Sequence, residues 1–232
     1  MWEVSRIELE HVRKVLKLKV GDRVELMNGE GVVAEGPISE ISSQSMLITA
    51  ETEWRFAPPK MNVALAIGAL KPADFDETLP SLIELGVREI HVFQQEDTAG
   101  FRTSEKAQDR WKRIILSAVK QSKSAWLPNL CTHESLSAAL KALQSFETKI
   151  VLDVSGDSNF LECLSAPAKS MVILIGGERG LSSSELNLCE GAHYQRVKMG
   201  GLVLRAKTAA QAAAALVSVM TFTPNEPLVT KF

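Results

Sequence analysis

Hydrophobic and polar positions change rhythm about a quarter of the way along the chain. Before Pro58, short alternating stretches at residues 22–27, 32–34 and 46–48 are separated by Asn28-Gly29-Glu30-Gly31 and Ser42-Ser43-Gln44-Ser45. A period of two bounded by turn residues predicts strands, and a run of strands this short predicts a small barrel. Ahead of them Leu9, Val12, Val15 and Leu16 recur at helical spacing with basic residues between, which predicts one short amphipathic helix over residues 9–18. Ala57-Pro58-Pro59-Lys60 continues neither helix nor strand and reads as a linker, dividing the chain into segments 1–57 and 61–232.

Beyond the linker apolar runs alternate with amphipathic stretches, the signature of an α/β layer architecture around a mainly parallel sheet. Strands are predicted at 62–67, 89–93, 149–154, 171–175 and 195–199, and helices at 75–85, 105–123, 136–144, 184–190 and 204–220. Met171-Val172-Ile173-Leu174-Ile175 is continuously apolar, as a strand buried on both faces requires. It runs into Gly176-Gly177-Glu178-Arg179-Gly180, and Ser182-x-x-Glu185 then has the spacing of a capping box. Glycines at a strand's carboxyl end let the backbone approach a ligand; a plain strand-to-helix turn explains them equally well. Neither a dinucleotide fingerprint nor a P-loop is present. A second glycine turn, Gly200-Gly201, precedes an alanine-rich helix whose small side chains admit a close neighbour.

Composition narrows the classes. With 45% hydrophobic and 23% charged residues in 232, the chain is an ordinary globular one. No apolar run is long enough for a membrane span, and the start lacks the basic flank and apolar stretch of a signal peptide, which places the protein in the cytoplasm. Three cysteines, Cys131, Cys163 and Cys189, suit reduced thiols. Cys131 and His133 are half of a metal site with no second pair at ligand spacing, so no metal is assigned. The four histidines, His11, His91, His133 and His193, are scattered and read as structural. A net charge of -2 means that any nucleic-acid contact must be local. Arg110, Lys112, Arg113, Lys120 and Lys123 on one predicted helix, with Trp111 and Trp126 nearby for stacking, offer such a surface, although a solvated charged face explains them too. Asp74, Asp76 and Glu77 suit a helix start.

The glycine turns carry a family resemblance. Ile175-Gly176-Gly177-Glu178-Arg179-Gly180-Leu181-Ser182 followed by Met199-Gly200-Gly201-Leu202-Val203-Leu204-Arg205-Ala206-Lys207-Thr208 resembles the paired signature of the bacterial 16S rRNA uridine-N3 methyltransferases of the SPOUT superfamily. That family writes I-G-P-E-G-G-h-S and L-G-x-R-h-L-R-x-E-T, with h apolar. The segment from His11 to Asp22, Glu84-Leu85-Gly86-Val87 and Ala118-Val119-Lys120-Gln121-Ser122 match further family elements in the same order.

The resemblance implies an N-terminal PUA-like β-barrel that helps hold RNA, then a SPOUT α/β domain with a C-terminal trefoil knot. It implies transfer of a methyl group from S-adenosylmethionine to N3 of a uridine in small-subunit ribosomal RNA, by a homodimer, with ribosomal RNA or a small-subunit particle as partner and neither DNA nor membrane. Carried over position by position, cofactor contacts fall on Ile175, Gly176, Gly180, Met199, Gly200 and Leu204. Arg205 is assigned the catalytic role of holding a uracil oxygen as N3 loses its proton; pairing with a carboxylate such as Glu178 is the alternative. Gly177 replaces the family's proline, Arg179 a glycine, Leu202 an arginine and Lys207 a glutamate. Lys120 replaces an acidic residue, and Ser124 and Asp97 stand where arginines are usual. These departures motivate a second reading, a divergent SPOUT protein that binds RNA or ribosomal particles without methylating the standard uridine. A third, a small-molecule-binding α/β protein, rests only on the acidic net charge.

Overall fold

The computed structural model describes residues 1–4, 9, 12, 16–95, 104–164, 168–220 and the backbone of 228–230. His11, Val15, Asp97 and half of the helix predicted at 9–18 lie outside the described residues. The chain forms two compact units, divided between Pro58 and Pro59 inside the proline-rich linker.

The first unit is antiparallel. Strands β1 (Trp2–Glu3), β4 (Met46–Ile48), β3 (Val32–Ile41) and β5 (Thr52–Arg55) are successive neighbours, and β2 (Arg23–Met27) pairs with β3. The long β3 serves two sets of partners because it passes through Gly36-Pro37 without stopping. At Gly36 a Cβ would overlap the carbonyl oxygen of Thr49, so a neighbouring backbone runs against it. Val4, Leu9, Val12, Ile38, Met46 and Ile48 make the core, which puts Leu9 and Val12 of the predicted apolar stripe inside. The strand β13 (Leu228–Thr230) pairs antiparallel with β5, so the end of the chain completes the first unit.

The second unit is a seven-stranded, wholly parallel sheet in the order β10-β12-β9-β11-β6-β7-β8. Its strands are β6 (Asn62–Gly68), β7 (Glu89–Phe93), β8 (Asn129–His133), β9 (Thr148–Leu152), β10 (Ser158–Asn159), β11 (Ser170–Ile175) and β12 (Gln195–Lys198). Its helices are α1 (Pro72–Glu84), α2 (Glu105–Ser122), α3 (Leu136–Ala142), α4 (Phe160–Leu164), α5 (Ser183–Gly191) and α6 (Ala206–Met220). Met171 to Ile175 are buried throughout, as their unbroken apolar run requires. Alternate residues serve opposite faces: Ala64, Ala66, Val172 and Leu174 join Leu136, Leu140, Leu186 and Cys189 of α3 and α5 in one cluster. Helix α6 packs on β6 and β11 and against α1, which packs on α2.

Two sequence expectations change. Trp111 is 3% exposed: its indole N–H donates to Asp76 Oδ1 at 3.2 Å and its ring meets Phe75 edge-on at 5.0 Å, so it belongs to the core and is no stacking platform. Helix α1 begins at Pro72, ahead of the start predicted at residue 75, because proline is well suited to a first helical position, and Asp74 falls in its first turn as the acids were expected to. No described helix is long and apolar enough to cross a membrane.

Candidate active site

Strands β12, β9 and β11 are adjacent and parallel, so their carboxyl ends open on one edge of the sheet, where α/β sheets take up ligands. Three loops leave that edge together.

The first glycine loop is a tight turn. Gly177 and Gly180 face each other as an antiparallel bridge, the N–H of Gly180 donating to the Gly177 carbonyl at 3.0 Å, and Gly180 has φ +75°. A Cβ on Gly176 would lie 2.5 Å from the Gly180 carbonyl carbon, so only glycine fits there. Ser182 and Glu185 form the expected capping box: Ser182 Oγ accepts from the Glu185 N–H at 3.2 Å, and Glu185 Oε2 accepts from the Ser182 N–H at 2.8 Å. At the tip Lys71 Nζ donates to Glu178 Oε2 at 2.8 Å. That hydrogen bond, more than charge alone, holds the Glu178 carboxyl below its ordinary value and the Lys71 ammonium above its own. The pair is exposed and adds little stability; it fixes where the tip lies.

Sequence reasoning missed Gln95, just beyond β7. Its Oε1 accepts from the Gly177 N–H at 2.7 Å, and its Nε2 donates to the Gly180 carbonyl at 2.8 Å and to Glu185 Oε2 at 3.0 Å. No local pattern announces a contact between residues 82 positions apart.

The second glycine loop is open. Among the described residues, a Cβ on Gly200 or Gly201 would meet nothing within 4 Å. Leu202 and Val203, 83% and 81% exposed, follow it. Leu204 and Arg205 belong to this loop and not to the helix as predicted, since α6 starts at Ala206.

The third loop, after β9, carries Asp153, also missed. Its Oδ1 accepts from the Ser155 N–H at 2.9 Å, from Ser155 Oγ and from Arg196 Nη2 at 3.1 Å. Burial disfavours its charge, but these donors outweigh burial and keep the carboxyl below its usual value.

The three loops enclose a cavity of about 330 Å³. Ile175, Gly176, Gly180, Met199, Gly200 and Leu204, the six residues carried over from the resemblance, all line it, with Leu152 at the end of β9 and Asp153 and Val154 of the third loop. Arg179 is on its wall and leaves it open. Arg205 is not on that wall. It lines an adjoining cleft of about 350 Å³ with Lys71, Asp74 and Lys207, and Glu178 and Ala206 border both spaces.

Glu178 is engaged by Lys71, so the alternative pairing of Arg205 with Glu178 is not realised, and Arg205 makes no ion pair among the described residues. Lys207 is held by Glu77 Oε2 at 3.0 Å and Asp74 Oδ1 at 3.2 Å; these bonds raise its pKa and tie the start of α6 to α1. Two of the acids read as a helix start, Asp74 and Glu77, are thus partners of the residue that departs from the family glutamate.

Elsewhere His91 Nδ1 and His133 Nε2 lie 2.8 Å apart, with burial lowering both pKa values. No group of three or more His, Cys, Asp or Glu side chains is placed to hold a metal among the described residues. On the basic helix Arg110 pairs with Asp76 and Lys112 with Asp109, while Arg88 covers the Trp126 ring, 4.1 Å from its centroid.

Residues 57–218 match the family model described as the RNA methyltransferase domain, and residues 8–51 match the RNA methyltransferase PUA domain. The chain belongs to the RNA methyltransferase family. A relative from Synechocystis named ribosomal RNA small subunit methyltransferase E is 26% identical, over 94% of this chain and 72% of its own length. The protein of the same name from Bacillus subtilis is 23% identical, over 95% of this chain and 90% of its own. Among solved structures, that of ribosomal RNA small subunit methyltransferase E from Neisseria gonorrhoeae bound to S-adenosylmethionine superposes with a TM-score of 0.84, at 22% identity over 94% of this chain and 91% of that one. This RNA methyltransferase therefore has an N-terminal PUA-like domain followed by a parallel-sheet methyltransferase domain.

Proposed function

We propose that the protein transfers a methyl group from S-adenosylmethionine to N3 of a uridine in small-subunit ribosomal RNA. One observation carries the reading: residues from two glycine loops distant in sequence line a single cavity at the carboxyl edge of a parallel sheet. Its volume, about 330 Å³, falls within the roughly 300–1,000 Å³ of small-molecule sites. Main-chain groups of Ile175, Gly176, Gly180, Met199, Gly200 and Leu204 hold the cofactor, and the uncrowded backbone at Gly200 leaves room for close approach. The relatives' names and the cofactor bound in the Neisseria structure support the assignment.

When bound, S-adenosylmethionine supplies a methyl group already activated by its sulfonium. The remaining task is alignment and proton removal, and positioning supplies most of the rate. Arg205, in the adjoining cleft and free of an acidic partner among the described residues, meets a uracil oxygen as negative charge develops at N3. The first unit acts as an RNA-holding barrel, the glycine loops belong to a trefoil knot, and the enzyme works in the cytoplasm as a homodimer. Exposed Leu202, Val203 and Val154 beside the cavity favour a second copy as their cover. The non-methylating alternative is weakened by the partners found for Lys207 and by the open cavity beside Arg179.

Two measurements test the proposal. Calorimetry should register S-adenosylmethionine binding, and mass spectrometry of nucleosides from rRNA incubated with the protein should show N3-methyluridine. Binding without that product would select the alternative; no binding at millimolar cofactor would defeat both the cofactor and the activity.

A further inference from the structure

The first glycine loop has Gly177 where the signature it resembles has proline, so no pyrrolidine ring fixes its backbone at that position. Beyond its own bond from Gly180 to Gly177, the loop is held from outside. The Gln95 carboxamide pairs with the Gly177 N–H on one side and the Gly180 carbonyl on the other, at 2.7 and 2.8 Å. It therefore acts as a peptide unit of a neighbouring strand would, closing the outside of the turn whose inside is closed by the bond from Gly180 to Gly177. The same Nε2 reaches Glu185 Oε2, which caps α5, so one side chain ties β7, the turn and the following helix together.

The space for it is built in. A Cβ on Gly68 would overlap Gln95 Oε1, and one on Gly177 would lie 2.6 Å from the same oxygen. Gly68 at the end of β6 and Gly177 in the turn after β11 thus leave a slot that the carboxamide fills. A proline at 177 has no N–H to donate, so this clasp is possible only with the residue found here.

We infer that Gln95 is a positioning residue for methyl-donor binding, one that shapes the Gly176–Gly180 backbone through Gly177 and Gly180 without touching the cofactor itself. The inference rests on the cofactor occupying the cavity proposed above. Its signature is a split: loss of the clasp weakens S-adenosylmethionine binding and leaves turnover at saturating cofactor nearly intact.

The test uses the full chain, with S-adenosylmethionine as the probe in calorimetry and KM and kcat from methyl transfer to rRNA. Gln95→Met keeps length and removes all three bonds; Kd and KM for the cofactor should rise at least tenfold, with kcat within about threefold, a tenfold change being roughly 1.4 kcal/mol. Gln95→Glu keeps the acceptor for Gly177 but sets a carboxylate against Glu185. Its affinity should fall as pH rises through the carboxylate range and recover when the new side chain is protonated and donates again, a response that a packing role does not produce. In a Gly177→Pro background, where the N–H is already gone and only the bonds to the Gly180 carbonyl and Glu185 remain to be lost, Gln95→Met should cost less than it does in the parent. Wild-type protein that binds no cofactor overturns the underlying reading, and the inference with it. Wild-type binding matched by Gln95→Met, or a Gln95→Glu affinity flat with pH, overturns the inference alone. Should Gln95→Met fail to fold, the pH series on Gln95→Glu decides.

Discussion

The two glycine loops use the same residue type for opposite reasons. In the first, glycine answers the protein's own packing: Gly176 lies against the Gly180 carbonyl, Gly180 takes a left-handed φ, and Gln95, Lys71 and the capping box fasten the turn on three sides. In the second, nothing among the described residues presses on Gly200 or Gly201, and the residues after them stand in solvent. A site made of one fastened wall and one open wall has its shape defined before binding on one side and completed by what it binds on the other. Preorganisation of part of the surface lowers the ordering cost of association.

The largest effect that separates the walls is expected at the end of the open loop. Arg205→Ala should lower kcat by on the order of 10²-fold, as loss of one charge-stabilising donor does, with cofactor Kd little changed. Unchanged turnover would remove Arg205 from the chemistry. The glycine pair gives the next contrast. Gly176→Ala forces a methyl into the Gly180 backbone and should destabilise the fold by roughly 1–3 kcal/mol, measured by denaturant unfolding. Gly200→Ala should stay within about 0.5 kcal/mol of the parent yet bind S-adenosylmethionine more weakly. Equal stability losses at both positions would erase the distinction. The smallest effect concerns the rim: Leu202→Glu should shift the sedimentation of the protein toward monomer while leaving its unfolding midpoint as a monomer unchanged. A single species, identical for parent and variant, would show that another surface joins the copies or that none does.

Much of this arrangement was legible in the chain. The core strands were readable because burial on both faces leaves an unbroken apolar run, as at 171–175, and the loops because glycines follow such runs directly. Strand β8 was not, since its Asn-Leu-Cys-Thr-His sequence occupies a sheet edge and carries no periodic signal. Strand β3 was expected only as far as Ala34, ahead of Gly36-Pro37, residues that usually end strands and here pair with Val24 and Arg23. Trp111 had a readable signal, its spacing to Ile115, Ala118 and Val119 on one helix face, which the charges around it obscured. The partners of Gln95 and Lys207 were beyond reach because each pairs with residues more than 80 positions away, and only the fold brings them together.

The antiparallel pairing of Leu228–Thr230 with Thr52–Arg55 bears on how the molecule can be dissected. A cut at the proline linker yields an N-terminal fragment with the backbone of β5 exposed along one side, a sticky edge of the kind that recruits foreign strands. A fragment meant to stand for the first unit alone needs the final residues supplied, by a short graft after Arg55 or by a separate peptide.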